Sequence, residues 1–197
     1  MKWIVLAIIL FIAVYTFITL NFRKPGPAYQ PYKDTKERAN VLRLESAGYK
    51  RIAATIEHPA EPAKSAAVLG RSVAPVKAAL SGIYGELTKS FAEKPTLPAS
   101  IGSVTAPSVT DAQKPYSFQY TCVLPDKKYI VADTYVCLKE GEIAIVTSLE
   151  PLSGSLLARS LESPVFLTLA PGTLSSGEYR VTLVGSQSSR QWTLQVH

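Results

Sequence analysis

Residues 3–22 read WIVLAIILFIAVYTFITLNF, an apolar run without a single charge. As a helix rising ~1.5 Å per residue, such a run is about 30 Å long, close to the hydrocarbon thickness of a bilayer. In lipid only a segment that satisfies its own backbone is tolerated, and a helix does so. Tyr15, Thr16, Thr19 and Asn21 are its polar groups, gathered towards one end. Trp3 and Phe22 stand at the two edges, where aromatic rings favour an interface. The run predicts a transmembrane anchor over residues 1–24, flanked by Arg23 and Lys24. A cleaved secretory signal is the alternative, but signal cores are shorter and end at a small-x-small site. Here the run ends Thr19-Leu20-Asn21-Phe22, and two basic residues follow at once.

Two arguments about sidedness oppose each other. Only Lys2 precedes the run, whereas Arg23, Lys24, Lys33, Lys36 and Arg38 follow it, which would hold the remainder in the cytoplasm. The remainder nevertheless has features of an exported module: an even cysteine count, short alternating strands and a Ser/Thr/Pro linker. The expectation is a single-pass signal-anchor in the cell membrane with an extracytoplasmic, periplasmic C-terminal domain; a cytoplasmic orientation is the competing one.

Charge is distributed unevenly. Residues 23–51 carry Arg23, Lys24, Lys33, Lys36, Arg38, Arg43, Lys50 and Arg51 against Asp34, Glu37 and Glu45, a local excess of +5 in a chain whose net charge is +6. Beside a bilayer this stretch would be drawn to anionic lipid headgroups at about 1 kcal/mol per charge. Nucleic acid is not expected as a partner, because no aromatic-interleaved basic motif accompanies the charges.

Beyond the anchor, Pro25, Gly26 and Pro27 break the helix, with Tyr29 and Tyr32 in an extended stretch. Asp34-Thr35-Lys36-Glu37 reads as a capping box for a helix over 35–47, with Gly48 as its left-handed cap. Residues 49–56 suit a short strand, and 58–62 a turn. Val76, Leu80, Ile83, Leu87 and Phe91 recur at helical spacing, although Gly82 and Gly85 interrupt them. The predicted organisation is an anchor (1–24), a basic membrane-proximal α-helical region (25–92), a Pro/Ser/Thr-rich connector (93–115) and a β-domain (116–197).

From Tyr116 the hydrophobic period becomes two. Tyr116, Phe118, Tyr120 and Cys122 alternate with polar neighbours, as in a half-buried strand. Further strands are predicted at 129–138, 142–149, 156–161, 165–170, 178–184 and 191–196, with a compact turn at Lys139-Glu140-Gly141. The fold class expected is α+β: a transmembrane helix, short helices and a C-terminal antiparallel β-sandwich. Leu169-Ala170-Pro171-Gly172 through Gly177-Glu178-Tyr179-Arg180-Val181 resembles, in its pattern of strand and turn, the ends of immunoglobulin-like bacterial envelope modules. The resemblance is confined to that stretch and brings no functional residues with it.

Chemistry-bearing motifs are scarce. Cys122 and Cys137 are a possible disulfide, which would stabilise by about 3 kcal/mol on a chain-entropy argument. A tight turn at 125–128, however, would set Cys122 opposite residues 130–132. Buried free thiols and a reactive pair stay open. His58 and His197 are the two histidines, and neither has a partner at metal-ligand spacing. Gly154-Ser155 is not a nucleophile elbow, and no phosphate-cradling loop is present. Glu140 and Glu142 flank Gly141 at a hairpin tip, where carboxylates are normally solvated. No catalytic residue, cofactor or metal is predicted. The expected function is a non-catalytic binding or assembly module anchored in the bacterial cell envelope, with a protein partner of unknown identity. An anchored enzyme with a dispersed site, or a cytoplasm-facing membrane scaffold, is the alternative.

Overall fold

The computed structural model describes residues 2–22, 31–59, 73–91 and 93–197, without the side chains of 6–7, 18–22 and 31–37. The chain falls into two compact units, Met1–Arg38 and Ala39–His197.

The first unit contains helix α1, Lys2–Phe22. Its described large apolar side chains are all exposed, from Val14 at 50% to Trp3 at 84%. Among the described residues no helix is long and apolar enough to cross a membrane. This corrects the expected transmembrane anchor bounded by Trp3 and Phe22, the single-pass signal-anchor and the membrane localisation. The periplasmic placement rested on that anchor and goes with it. Arg23, Lys24 and the break at 25–27 lie outside the described residues.

Helix α2, Pro31–Ser46, begins on a proline, whose fixed φ suits a first helical position. Asp34 therefore lies inside the helix and not at its cap. At the other end Gly48 has φ 79°. Its N–H donates to Glu45 O at 2.9 Å and the Tyr49 N–H donates to Leu44 O at 2.8 Å, the two bonds of a Schellman cap.

The other elements of the second unit are strands apart from one helical turn: β1 (Lys50–Ile52), β2 (Ala54–Glu57), β3 (Lys77–Ala79), the one-turn α3 (Leu87–Ser90), β4 (Ser100–Thr105), β5 (Val109–Thr110), β6 (Tyr116–Val123), β7 (Tyr129–Lys139), β8 (Glu142–Pro151), β9 (Glu162–Leu169), β10 (Gly177–Val184) and β11 (Ser189–Val196). Two β-sheets dominate the described residues and the helices are few, which corrects the expected α+β class to mostly β. The larger sheet has the order β1-β7-β8-β10-β11-β3, with β5 also on β11; the smaller is β2-β9-β6-β4. β10 runs parallel to β8, and β5 parallel to β11. The all-antiparallel, immunoglobulin-like topology is corrected by these parallel pairs, one of them in the middle of the larger sheet.

The periodicity of 76–91 yields only the one-turn α3, not a helix along its length. Gly82 and Gly85 take φ of 77° and 58°, left-handed values that no right-handed helix contains. Val76 packs against the main core, Ile83, Leu87 and Phe91 join another cluster, and Leu80 is 82% exposed. The connector likewise holds two strands, β4 and β5, whereas 156–161 is not strand.

One core fills the space between the sheets. Phe118, Tyr120 and Leu167 from the smaller sheet meet Ile145, Val181, Leu183, Trp192 and Leu194 from the larger. Phe118 sets its ring edge-on to Trp192, centroids 5.3 Å apart, a preferred aromatic geometry. The core's polar atoms are paired, as low dielectric demands. Trp192 Nε1 donates to the Tyr116 hydroxyl at 3.0 Å, and that hydroxyl donates to Pro107 O at 3.0 Å. The Tyr120 and Thr147 hydroxyls lie 2.8 Å apart. Burial pushes the Tyr116 and Tyr120 phenols well above their usual range.

A second, smaller cluster covers part of the opposite face of the larger sheet. Leu44 of α2, Leu87, Phe91 and Leu97 pack on Cys137, Ala144, Val146 and Val184. This cap stops short of the sheet's far edge, and the uncovered part becomes a groove.

Candidate functional site: a groove on the outer face of the larger sheet

Strand alternation places the groove's floor. Because Ile143 and Val181 point into the core, their neighbours Glu142, Arg180 and Thr182 point the other way. The parallel register pairs Arg180 with Glu142, and the antiparallel register pairs Thr182 with Gln191. The four side chains thus form a patch across β8, β10 and β11.

Segment 78–84 walls the patch. Ala78, Ala79, Leu80 and Tyr84 join Glu142, Arg180, Thr182 and Gln191 around an open cavity of about 500 Å³, within the range of small-molecule sites. The wall is tied down from both ends. β3 pairs Lys77–Ala79 with 189–191 of β11, and the Gly82 N–H donates to Gly185 O at 2.8 Å.

Polar contacts order the floor. Arg180 Nη1 donates to Glu142 Oε1 at 2.7 Å, and Gln191 Nε2 donates to Thr182 Oγ1 at 3.0 Å. Thr182 also hydrogen-bonds the half-buried Tyr84 hydroxyl; burial raises that phenol above its usual range, and the Thr182 bond offsets part of the rise. The Arg180 and Glu142 side chains keep 62% and 44% of their exposure. An ion pair this wet contributes little to stability, so both groups can exchange partners with a ligand at low cost.

Cys122 and Cys137 are both free and buried. Cys122 belongs to the core between the sheets, whereas Cys137 lies in the cluster on the outer face of the larger sheet. β6 pairs with β4 and β9 and never with β7, so the thiols are not opposed and no disulfide joins them. Burial pushes both thiols up to about 12, which keeps them protonated and unreactive. His58 is exposed at the end of β2, and His197 holds backbone bonds with Ala112 and Thr110. Among the described residues no group of three metal-ligating side chains comes together.

Of the basic stretch 23–51, Arg38, Arg43, Lys50 and Arg51 are exposed, with the Arg51 guanidinium 5.1 Å over the Tyr135 ring. A second concavity, about 440 Å³, lies on α1 among Trp3, Ile4, Ile8 and Phe11. None of its four side chains is titratable, and the Trp3 indole N–H is the one hydrogen-bonding group among them.

Sequence reasoning misses the groove. It places Glu142 at a solvated hairpin tip, and the partner Arg180 lies 38 positions away. Only the register joins them. No family model, curated protein or solved structure matches the chain.

Proposed function

We propose that the chain is a non-catalytic binding module whose ligand seat is the groove formed by Tyr84, Glu142, Arg180, Thr182 and Gln191. The observation that carries this reading is the groove's floor. It is a set of hydrogen-bonding side chains on adjacent, hydrogen-bonded strands, with its two charges neutralised against each other. Sites built on strands hold their geometry better than sites built on loops. Turnover asks for something else: a nucleophile beside a base, or two titratable groups driven apart in affinity for protons. The groove offers one carboxylate, and Arg180 holds it. Ligand recognition through several weak, directional contacts fits this arrangement.

The test uses the full-length chain immobilised beside Arg180→Ala, Gln191→Ala and the Arg180→Ala/Gln191→Ala double variant, each probed with a mixed panel of small polar molecules. Both substituted side chains are on the outer face, so circular dichroism and thermal midpoint should stay unchanged. A ligand retained by the native chain and lost by the double variant supports the reading. Equal retention by both contradicts it.

A further inference from the structure

We infer that the groove takes a neutral polyhydroxylated ligand, a segment of glycan chain. The inference rests on the reading above that the groove is the ligand seat, and it adds the class of ligand. Three features of the site select that class.

The first is charge. Arg180 and Glu142 cancel, and the other lining residues are uncharged. Lys77, in register with Gln191, is exposed but does not line the cavity. A strongly anionic or cationic ligand would meet one partner's attraction and the other's repulsion, with no net gain.

The second is the mix of donors and acceptors. Arg180 only donates and Glu142 only accepts, while Thr182, Gln191 and Tyr84 do both. Adjacent sugar hydroxyls also donate and accept, and planar guanidinium, carboxylate and amide groups engage two of them at once. The wall supplies the complement: Ala78, Ala79, Leu80 and the Tyr84 ring form an apolar surface for the C–H face of a pyranose ring.

The third feature is location. β8 is flanked by β7 and β10, β10 by β8 and β11, and β11 by β10 and β3. The backbone groups of the floor are committed to the sheet, so an extended peptide cannot add to the floor as a strand; the sheet's free edge here belongs to the three-residue β3 on the wall. Recognition by the floor passes through side chains, which suits a glycan better than a peptide backbone. Binding without cleavage also follows, since glycoside hydrolysis uses two carboxyl groups flanking the bond and the groove lines up only Glu142.

The experiment is a nuclear magnetic resonance titration of the ¹⁵N-labelled full-length chain with maltohexaose, cellohexaose and hexameric N-acetylglucosamine. A flexible peptide and the anionic polymer polygalacturonate serve as comparators. The expected result is saturable shifts of amides 180–182 and 191 with at least one neutral saccharide. Arg180→Ala and Gln191→Ala should each weaken that binding by roughly tenfold, the loss expected for a directional hydrogen bond with a charged or desolvated partner. No saccharide shift at millimolar concentration overturns the ligand class. Shifts of these amides with the peptide instead, abolished by the same substitutions, overturn the glycan but leave the groove as the seat. Saccharide shifts that both substitutions leave intact overturn the groove itself.

Discussion

Replacing Gly185 by alanine should damage the fold and the groove together. A Cβ at this position would lie 2.2 Å from Ser188 O, 3.2 Å from Ser188 C and 3.4 Å from Ser100 Cα. All three are backbone atoms at or beside the turn between β10 and β11, so no side chain can swing away, and the turn must open by about 1 Å to restore ordinary contact. Overpacking of this kind costs about 1–3 kcal/mol. The opening also strains the bonds that meet here. Gly185 N–H donates to Ser189 Oγ at 3.1 Å, and Gly185 O accepts from Gly82 N–H at 2.8 Å. At about 1 kcal/mol for each bond lost, the total expected is about 3–5 kcal/mol. For a unit of this size that lowers the thermal midpoint by about 10 °C. Urea unfolding followed by circular dichroism reads the free energy, with Gly154→Ala as the comparator. Gly154 has φ +67°, and a methyl added there meets nothing within 4 Å, so its substitution costs only the left-handed penalty of about 1 kcal/mol. A Gly185→Ala cost no larger than that of Gly154→Ala would refute the steric reasoning.

Other substitutions and titrations probe separate parts of the molecule. Glu140 has φ 48° beside Gly141 at 81°, a two-residue turn that favours Asn-Gly; Glu140→Asn should raise stability by about 0.5–1 kcal/mol in the same urea assay. Lys139 Nζ reaches Glu86 Oε2 at 2.7 Å and Ala47 O at 2.9 Å. The hydrogen bond from Lys139 holds the Glu86 carboxyl below its usual range. Its stabilising contribution is therefore complete above the ordinary carboxylate range and is lost as pH falls through the lowered value. Lys139→Met should flatten that acid limb of the urea midpoint. The buried thiols stay protonated up to about 12 in the folded chain but ionise near 9 when unfolded, so their contribution to stability should fall as pH rises from about 9. A Cys122→Ala/Cys137→Ala variant should show a shallower alkaline decline, and a native mass lower by two hydrogens would reveal a disulfide instead.

Much of the larger sheet is legible in the sequence because one-sided burial leaves a two-residue period. Tyr179, Val181 and Leu183, and Trp192, Leu194 and Val196, read as inward faces, and each is buried. Tyr116, Phe118, Tyr120 and Cys122 behave alike in the smaller sheet. Illegible are the elements whose character depends on distant partners. β4 is Ser-Ile-Gly-Ser-Val-Thr, a composition that reads as linker until β6 pairs with it. β3 has three residues and stands only because β11 accepts it. In 76–91 a three-and-four spacing suggests one long helix, while the left-handed backbone of Gly82 and Gly85 leaves only the single turn at 87–90. The groove is the least legible feature, since Tyr84, Glu142, Arg180 and Gln191 become neighbours only after three strand registers are fixed.

The groove exists only if the wall at 78–84 lies against the floor of β10. Nuclear Overhauser contacts between the Tyr84 ring protons and the Thr182 methyl, measured in the full-length chain, test this directly. A contact is expected, weakened in Gly185→Ala. Its absence, with the cross-strand contacts between Arg180 and Glu142 still present, would contradict the groove and the binding function built on it.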